Sequence, residues 1–263
     1  MLSLNEAWHH QLEHVKDFGR EVSPRGQPTL EVPSRTLAFD MNYPVVIHEG
    51  RKLGYKFMAA EAWWILSGRD DVDSIAPYSK NISNFSDDGH KFFGAYGPPI
   101  IDQLDYVVST LERDPDTRQS VLTTWRPNPP STKDVPCTVA MDWMVRDGAI
   151  EMHVFMRSSD NWLGVPYDAF NFSMLSCEIV RQLNQRPLLW PRPLKLGACY
   201  LTAASSHLYR RDFEAVEEVL AVPATRPTTP VPEMLCSGLV PIKDVLNVLK
   251  DSHKDYTGRW WNE

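Results

Sequence analysis

The spacing of hydrophobic and polar residues switches between a helical and a strand-like period along the chain. Helical patterning predicts helices near residues 3–17, 58–67, 101–113, 171–185, 207–221 and 241–250. The first opens on Ser3 and Glu6, spaced as a capping box. The second stops at Gly68, a natural helix C-terminal residue. In the fourth, Phe172, Leu175, Ile179 and Leu183 fall on one face. Between the third and fourth the period drops to two. Val139, Met141, Trp143 and Val145 alternate with Ala140, Asp142 and Met144. Asp147-Gly148 makes a turn, and Ile150, Met152, Val154 and Met156 then alternate with Glu151, His153 and Phe155. A third strand is expected over roughly 118–126, ahead of this hairpin. Consecutive strands in the middle with helices on either side give an α+β pattern rather than a strict βαβ alternation.

Composition narrows the class. The 263 residues are 43% hydrophobic and 23% charged, as in an ordinary globular protein with a substantial core. Proline-rich patches at 127–136, 187–193 and 222–232 are too short to separate domains, so residues 1–263 are expected to form one. No stretch is long and apolar enough for a membrane span, and the N-terminus lacks a signal-peptide pattern. The four cysteines, Cys137, Cys177, Cys199 and Cys236, show no metal-ligand spacing; free thiols in a reducing cytosol, and no metal, are expected. The net charge of −7 argues against wholesale nucleic-acid binding, although a few local arginines suffice for one phosphate.

Candidate chemistry gathers around Cys137, in Asp134-Val135-Pro136-Cys137-Thr138. A free cysteine is more often buried packing than a nucleophile. This one follows a proline-rich loop and precedes a strand, where a residue can face a cleft, and Arg118, Arg126 and Arg157 are available to lower its pKa. In the run from Arg157 to Asp168, a guanidinium fork beside the Ser158 hydroxyl is a potential anion clamp. Composition alone favours a polar loop with an incidental salt bridge.

Six segments in order resemble the thymidylate synthase superfamily, and within it the deoxycytidylate hydroxymethylases. They are Glu61–Gly68, Phe93–Gly97, Asp114–Gln119 with Trp125, Pro136-Cys137, Arg157–Asp160 with Leu163–Asp168, and His207–Tyr209. The resemblance covers roughly 50–220. It implies a large mixed sheet flanked by helices and packed against its symmetry mate in a homodimer. It also implies that a pyrimidine nucleoside monophosphate is modified at C5 with 5,10-methylenetetrahydrofolate as cosubstrate. Cys137 would add to ring C6, turning a poor C5 nucleophile into an enamine or enolate. Glu61 would organise water and proton transfers, and Tyr96 would assist removal of the C5 proton. Arg157, Ser158 and the neighbouring subunit's copy of Arg118 would hold the 5′-phosphate, with Arg25 a looser match. His207 and Tyr209 would meet the sugar, and Asp160, Gly164 and Tyr167 the folate side.

Departures from the synthases point to the substrate. Asp168 stands where they carry the asparagine that pairs with uracil. An amide accepts from N3–H and donates to O4; cytosine presents the reverse pattern, which a protonated carboxyl group matches. Partial burial would favour such a raised Asp168 pKa. Thr138, Met156, Gln119 and Ala204-Ser205-Ser206 also depart from the synthase pattern. The end of the chain, Arg259-Trp260-Trp261-Asn262-Glu263, does not resemble the short apolar tail that closes the synthase site, which is consistent with water entering. The expectation is therefore 5-hydroxymethylation of dCMP, in bacterial or phage-infected cytoplasm. The alternatives are methylation of dCMP or dUMP, 5-hydroxymethylation of CMP, or a nucleotide- or RNA-binding module without turnover.

Overall fold

A computed structural model describes residues 1–79, 81–186 and 192–252. Helices are α1 (Leu4–Phe18), α2 (Tyr55–Leu66), α3 (Gly97–Arg113), α4 (Val165–Asn184), α5 (Phe213–Leu220), α6 (Glu233–Ser237) and α7 (Ile242–Asp251). Strands are β1 (Arg20–Val22), β2 (Thr29–Asp40), β3 (Val121–Thr123), β4 (Thr138–Arg146), β5 (Ala149–Met156), β6 (Ser159–Asp160) and β7 (Lys195–Tyr209). The architecture is mixed α+β.

Among the described residues the strands form one sheet in the order β1-β2-β7-β5-β4-β3, with β6 also paired to β7. β5 and β6 run parallel to β7 and the other pairs are antiparallel. A parallel pair needs a long crossover, and α4 supplies it. The predicted hairpin is present as β4 and β5. Asp147 and Gly148 have φ of 51° and 76°, as the tight turn matching strand twist requires. Met141, Trp143, Ile150, Met152 and Val154 point into the core, and Phe155 on the alternate face is exposed. Helices cover the first face, with Trp143 Nε1 donating to Ser176 Oγ on α4 at 3.0 Å. Asp142, His153, Tyr200 and Thr202 lie on the second face around a cavity of about 300 Å³.

Local signals account for several boundaries. Ser3 and Glu6 form the expected capping box. Gly68 takes φ +68° just past α2. α3 and α4 begin earlier than predicted, because Pro98 and Pro166 sit in the first turn, where a missing N–H costs nothing. The segment predicted as a helix over 207–221 is corrected: residues 207–209 end β7, Arg210–Asp212 form a 3-10 turn, and the α-helix is α5. His207, Leu208 and Tyr209 pair with Glu31, Leu30 and Thr29 of β2, so the sheet claims them. The third predicted strand shrinks to β3.

α2 is apolar on nearly all sides, since it lies between α4 and α7. From Phe57 to Leu66 its sole charged residue is Glu61. The expected absence of an apolar closing tail concerns residues 259–263, which lie outside the described residues. No helix among the described residues is long and apolar enough to cross a membrane.

Candidate active site

Glu61, Tyr96, Cys137 and Asp168 come from four separate segments and line one cavity of about 190 Å³. Ile75, Ile82, Phe85 and Phe92 form an apolar wall of the same cavity, and Asp134 and Asn171 complete its polar side. A larger cavity of about 420 Å³, walled mainly by aliphatic and proline residues between α2, α4 and α7, contains none of the matched site residues.

Loop contacts fix the placement of Cys137. Gly94 N donates to Asp134 Oδ2 at 2.8 Å, clamping the loop before α3 to the loop before β4. A Cβ at Gly94 would lie 2.5 Å from the Asp134 carbonyl oxygen, so glycine permits the approach. Asp87 accepts from the Thr132 hydroxyl and, at 3.0 Å, from Lys133 N, bracing the second loop. Tyr96 lines the same cavity as Cys137, and its hydroxyl accepts from Thr138 N at 3.1 Å. A register shift in the β4–β5 ladder lies between Thr138 and Ala140, immediately after the cysteine. Such bulges re-aim side chains where regular pairing ends.

Of the three arginines expected to serve Cys137, Arg157 reaches the sulfur. Its Nη2 lies 3.5 Å from Sγ and also donates to Val135 O at 2.8 Å, while Nε donates to Pro136 O at 2.9 Å. Ser158 Oγ is 3.9 Å from the sulfur and 3.5 Å from Arg157 Nη1. Arg126 instead lies over the Phe93 ring, 5.1 Å from its centroid. Burial outweighs the Arg157 charge and the Ser158 contact, so the free-state Cys137 thiol sits above its ordinary pKa. The expectation of a thiol lowered by nearby cations is therefore corrected for this state.

The other titratable groups are also shifted upward. Burial pushes Glu61 to about 7, opposed by a hydrogen bond from Asn171 Nδ2 to Oε2 at 2.8 Å. Asp168 stands well above the carboxylate range through burial, with the Glu61 and Asp160 charges adding to it. Burial also raises the Tyr96 hydroxyl, and the Asp168 and Cys137 charges reinforce the rise. The pocket thus favours neutral forms, as a site walled from water does.

Arg157 and Ser158 follow β5, and β6 then sets Ser159 and Asp160 opposite Ser206 and His207 of β7. Asn161 braces this crossing from beneath, donating to Ser206 Oγ at 3.1 Å and His207 O at 2.8 Å. Trp8 Nε1 donates to Asn161 O at 2.6 Å. Asp160 Oδ1 accepts from Trp162 N and Leu163 N, which turns the chain into α4. A Cβ on Gly164 would meet Asp160 O at 3.0 Å and Asp168 Oδ2 at 3.3 Å, so glycine leaves the Asp168 head room. Tyr167 Oη accepts from Gly54 N at 3.1 Å, and its ring meets Phe57 edge-on. The His207 and Tyr209 rings lie 5.2 Å apart, edge to face.

Of the predicted site residues, Glu61, Tyr96, Cys137 and Asp168 line the cavity; Arg157, Ser158, Asp160, Gly164, Tyr167, His207 and Tyr209 lie outside its lining, and so do Arg25 and Arg118. Arg25 is exposed at φ 52° in the loop joining β1 and β2. Arg118 is exposed between α3 and β3 and makes no hydrogen bond or ion pair among the described residues. The sequence reading missed Asn171 and the bracing pair Asn161 and Ser206. A polar residue on the apolar face of α4 was the available signal for Asn171.

The family model of thymidylate synthase matches residues 6–245. The chain belongs to the thymidylate synthase family. Its matched span includes the four segments that meet at the cavity, the clamp loops and β7. A deoxyuridylate hydroxymethyltransferase of Bacillus phage SP01 is 28% identical, over 84% of this chain and 62% of that protein. This thymidylate synthase family chain therefore spans less than two thirds of that relative's length.

Proposed function

We propose that the chain transfers a one-carbon unit from 5,10-methylenetetrahydrofolate to C5 of dCMP and completes the reaction with water, giving 5-hydroxymethyl-dCMP. Asp168 carries the base assignment. Its buried carboxyl group favours the protonated form, which can donate to cytosine N3 and accept from the N4 amine. Water as the final reactant is supported by the name of the phage relative, which is a hydroxymethyltransferase. That relative acts on deoxyuridylate, so dUMP is the second reading.

The cavity and the segments beside it support the following roles. Cys137 Sγ attacks C6, with the Arg157 guanidinium at 3.5 Å as countercharge to the thiolate. Tyr96, whose hydroxyl accepts from the Thr138 N–H next to the cysteine, assists C5 proton removal. Arg157 and Ser158 hold the 5′-phosphate, and His207 and Tyr209 meet the sugar. Asp160, Gly164 and Tyr167 border the folate side, and the apolar wall of Ile75, Ile82, Phe85 and Phe92 suits a flat aromatic ring system. Nothing in this scheme requires a metal. Arg118, which makes no hydrogen bond or ion pair among the described residues, is assigned to the phosphate of a second subunit in a homodimer. The sheet face bearing exposed Phe155, together with the buried and unpaired Asp142 Oδ1 and His153 Nε2, supports a covering partner.

The experiment offers dCMP, dUMP and CMP with methylenetetrahydrofolate and identifies products by mass. Hydroxymethyl-dCMP is expected. A methyl product, accompanied by dihydrofolate, or turnover of dUMP alone would overturn the assignment. Cys137→Ser should bind nucleotide yet form no product, which also separates an enzyme from a mere binding module.

A further inference from the structure

Asn171 lies three residues beyond Asp168 on α4, so both side chains project from one face of the helix. It is 5% exposed and lines the Cys137 cavity. Its Nδ2 donates to Glu61 Oε2 at 2.8 Å. Its Oδ1 is buried and has no hydrogen-bond partner among the described residues. A buried acceptor in a native protein is almost always satisfied, and an orphan in a cavity marks the place of a donor that arrives with water or ligand.

We propose that Asn171 positions the water that ends the reaction, holding Glu61 through Nδ2 while Oδ1 accepts one O–H of that water. The proposal rests on the reading that water completes the transfer. With one O–H held by Asn171 and the other directed to Glu61, a lone pair on the water oxygen is left for the exocyclic methylene carbon on C5. The new C–O bond forms there, and the second O–H breaks, passing its proton to the Glu61 carboxylate. The methylene π pair moves into C5=C6 as the C6–S bond breaks, and Cys137 leaves as the thiolate. Asn171 already occupies Oε2, which leaves Oε1 to take the proton.

The titratable groups facing Glu61 are Asp168 on α4, Tyr96 ahead of α3, and Asp134 and Cys137 ahead of β4. The Asn171 hydrogen bond opposes the burial that raises Glu61. Removing it should therefore move the Glu61 limb of the pH–rate profile upward, a change that loosened packing alone would not produce.

The test compares Asn171→Ala and the near-isosteric Asn171→Asp with the native enzyme, using C5-tritiated nucleotide and methylenetetrahydrofolate. Tritium release reports formation of the exocyclic methylene; the hydroxymethyl product reports addition of water. The native enzyme should give the two in equal amounts. Asn171→Ala should release tritium in excess of product, with kcat for product down about 100-fold. Nucleotide KM should stay within about threefold and the Glu61 limb should rise by about one pH unit. Asn171→Asp keeps an acceptor for water but loses the donor to Glu61. It should retain near-equal release and product while moving the limb further up, and it carries the test if the alanine variant does not fold. Equal release and product in Asn171→Ala with an unmoved limb, or an unmoved limb in a folded Asn171→Asp, would overturn the proposal. A native enzyme that forms no hydroxymethyl product overturns the reading of the reaction instead, before any variant is made.

Discussion

Asp168→Asn tests the base assignment most directly. The side chains are nearly isosteric, and Gly164 leaves the head of residue 168 room, since a Cβ there would lie 3.3 Å from Oδ2. The amide should therefore occupy the same place. With its oxygen toward N3 and its NH2 toward position 4, the orientation that suits uracil, it sets acceptor against acceptor and donor against donor, so up to two contacts are lost. At about 1–3 kcal/mol for each unpaired buried group, the penalty is about 2–6 kcal/mol. At roughly 1.4 kcal/mol per decade, kcat/KM for dCMP should fall by roughly 30-fold to 10⁴-fold. The dUMP value should rise, because an amide matches N3–H and O4. Competition between the two nucleotides, with products resolved by mass, gives the ratio in one experiment. Stability supplies an independent check. An acid whose folded-state pKa is raised contributes stability that is full below its unfolded-state value and is lost as pH rises through the folded value. Asparagine has no such loss, so the variant should match or exceed the native protein in thermal stability at pH 8. A folded Asp168→Asn that still prefers dCMP over dUMP would refute the assignment.

Glu61, raised from 4.5 to about 7, should weaken the fold as pH rises through that interval; Glu61→Gln should flatten the trend and gain up to about 3 kcal/mol at pH 8 in urea unfolding, while losing turnover. Gly94→Ala forces its Cβ against the Asp134 backbone oxygen, and should cost about 1–3 kcal/mol in the same measurement and depress kcat by displacing Tyr96 and Cys137. If Arg118 serves the neighbouring subunit, inactive Arg118→Ala and Cys137→Ser proteins mixed and allowed to exchange should recover about a quarter of native activity. No recovery despite demonstrated exchange would place Arg118 within its own subunit or outside the site.

The hairpin and the buried helices were legible because each presents one apolar face at a clear period. Trp143 and Met152, and Phe172 and Ile179, were identified as core from spacing alone, and all four are buried. β2 and β7 escaped that reading. β2 contains Pro33 and the left-handed Ser34, which interrupt alternation. β7 runs through Gly197, Ala198, Cys199, Ala203, Ala204, Ser205 and Ser206, whose small side chains give little contrast between its faces. Its identity as a strand comes from partners on both sides, β2 and β5, distant in sequence. The site was legible where a residue type carries its own chemistry, as with Cys137, Glu61 and Asp168. Asn171 was not, because a single polar residue in a helix acquires meaning only from Glu61, 110 residues away. The Cys137 environment misled for the same reason: three arginines are near in sequence, but burial, which spacing does not reveal, sets the direction of its shift.

β7 also governs the order in which the protein can be assembled. It pairs with β2, whose residues 29–40 are made early, and with β5 and β6, made in the middle of the chain. Until residue 209 has left the ribosome, β2 and β5 each present an open strand edge, and His207 has no strand to hold it opposite Asp160. Contacts this distant in sequence slow folding and prolong the exposure of unpaired edges. A nascent chain of this protein is therefore most vulnerable to aggregation just before β7 emerges, and the half-site formed by Cys137 and Arg157 gains its facing half only in that late step.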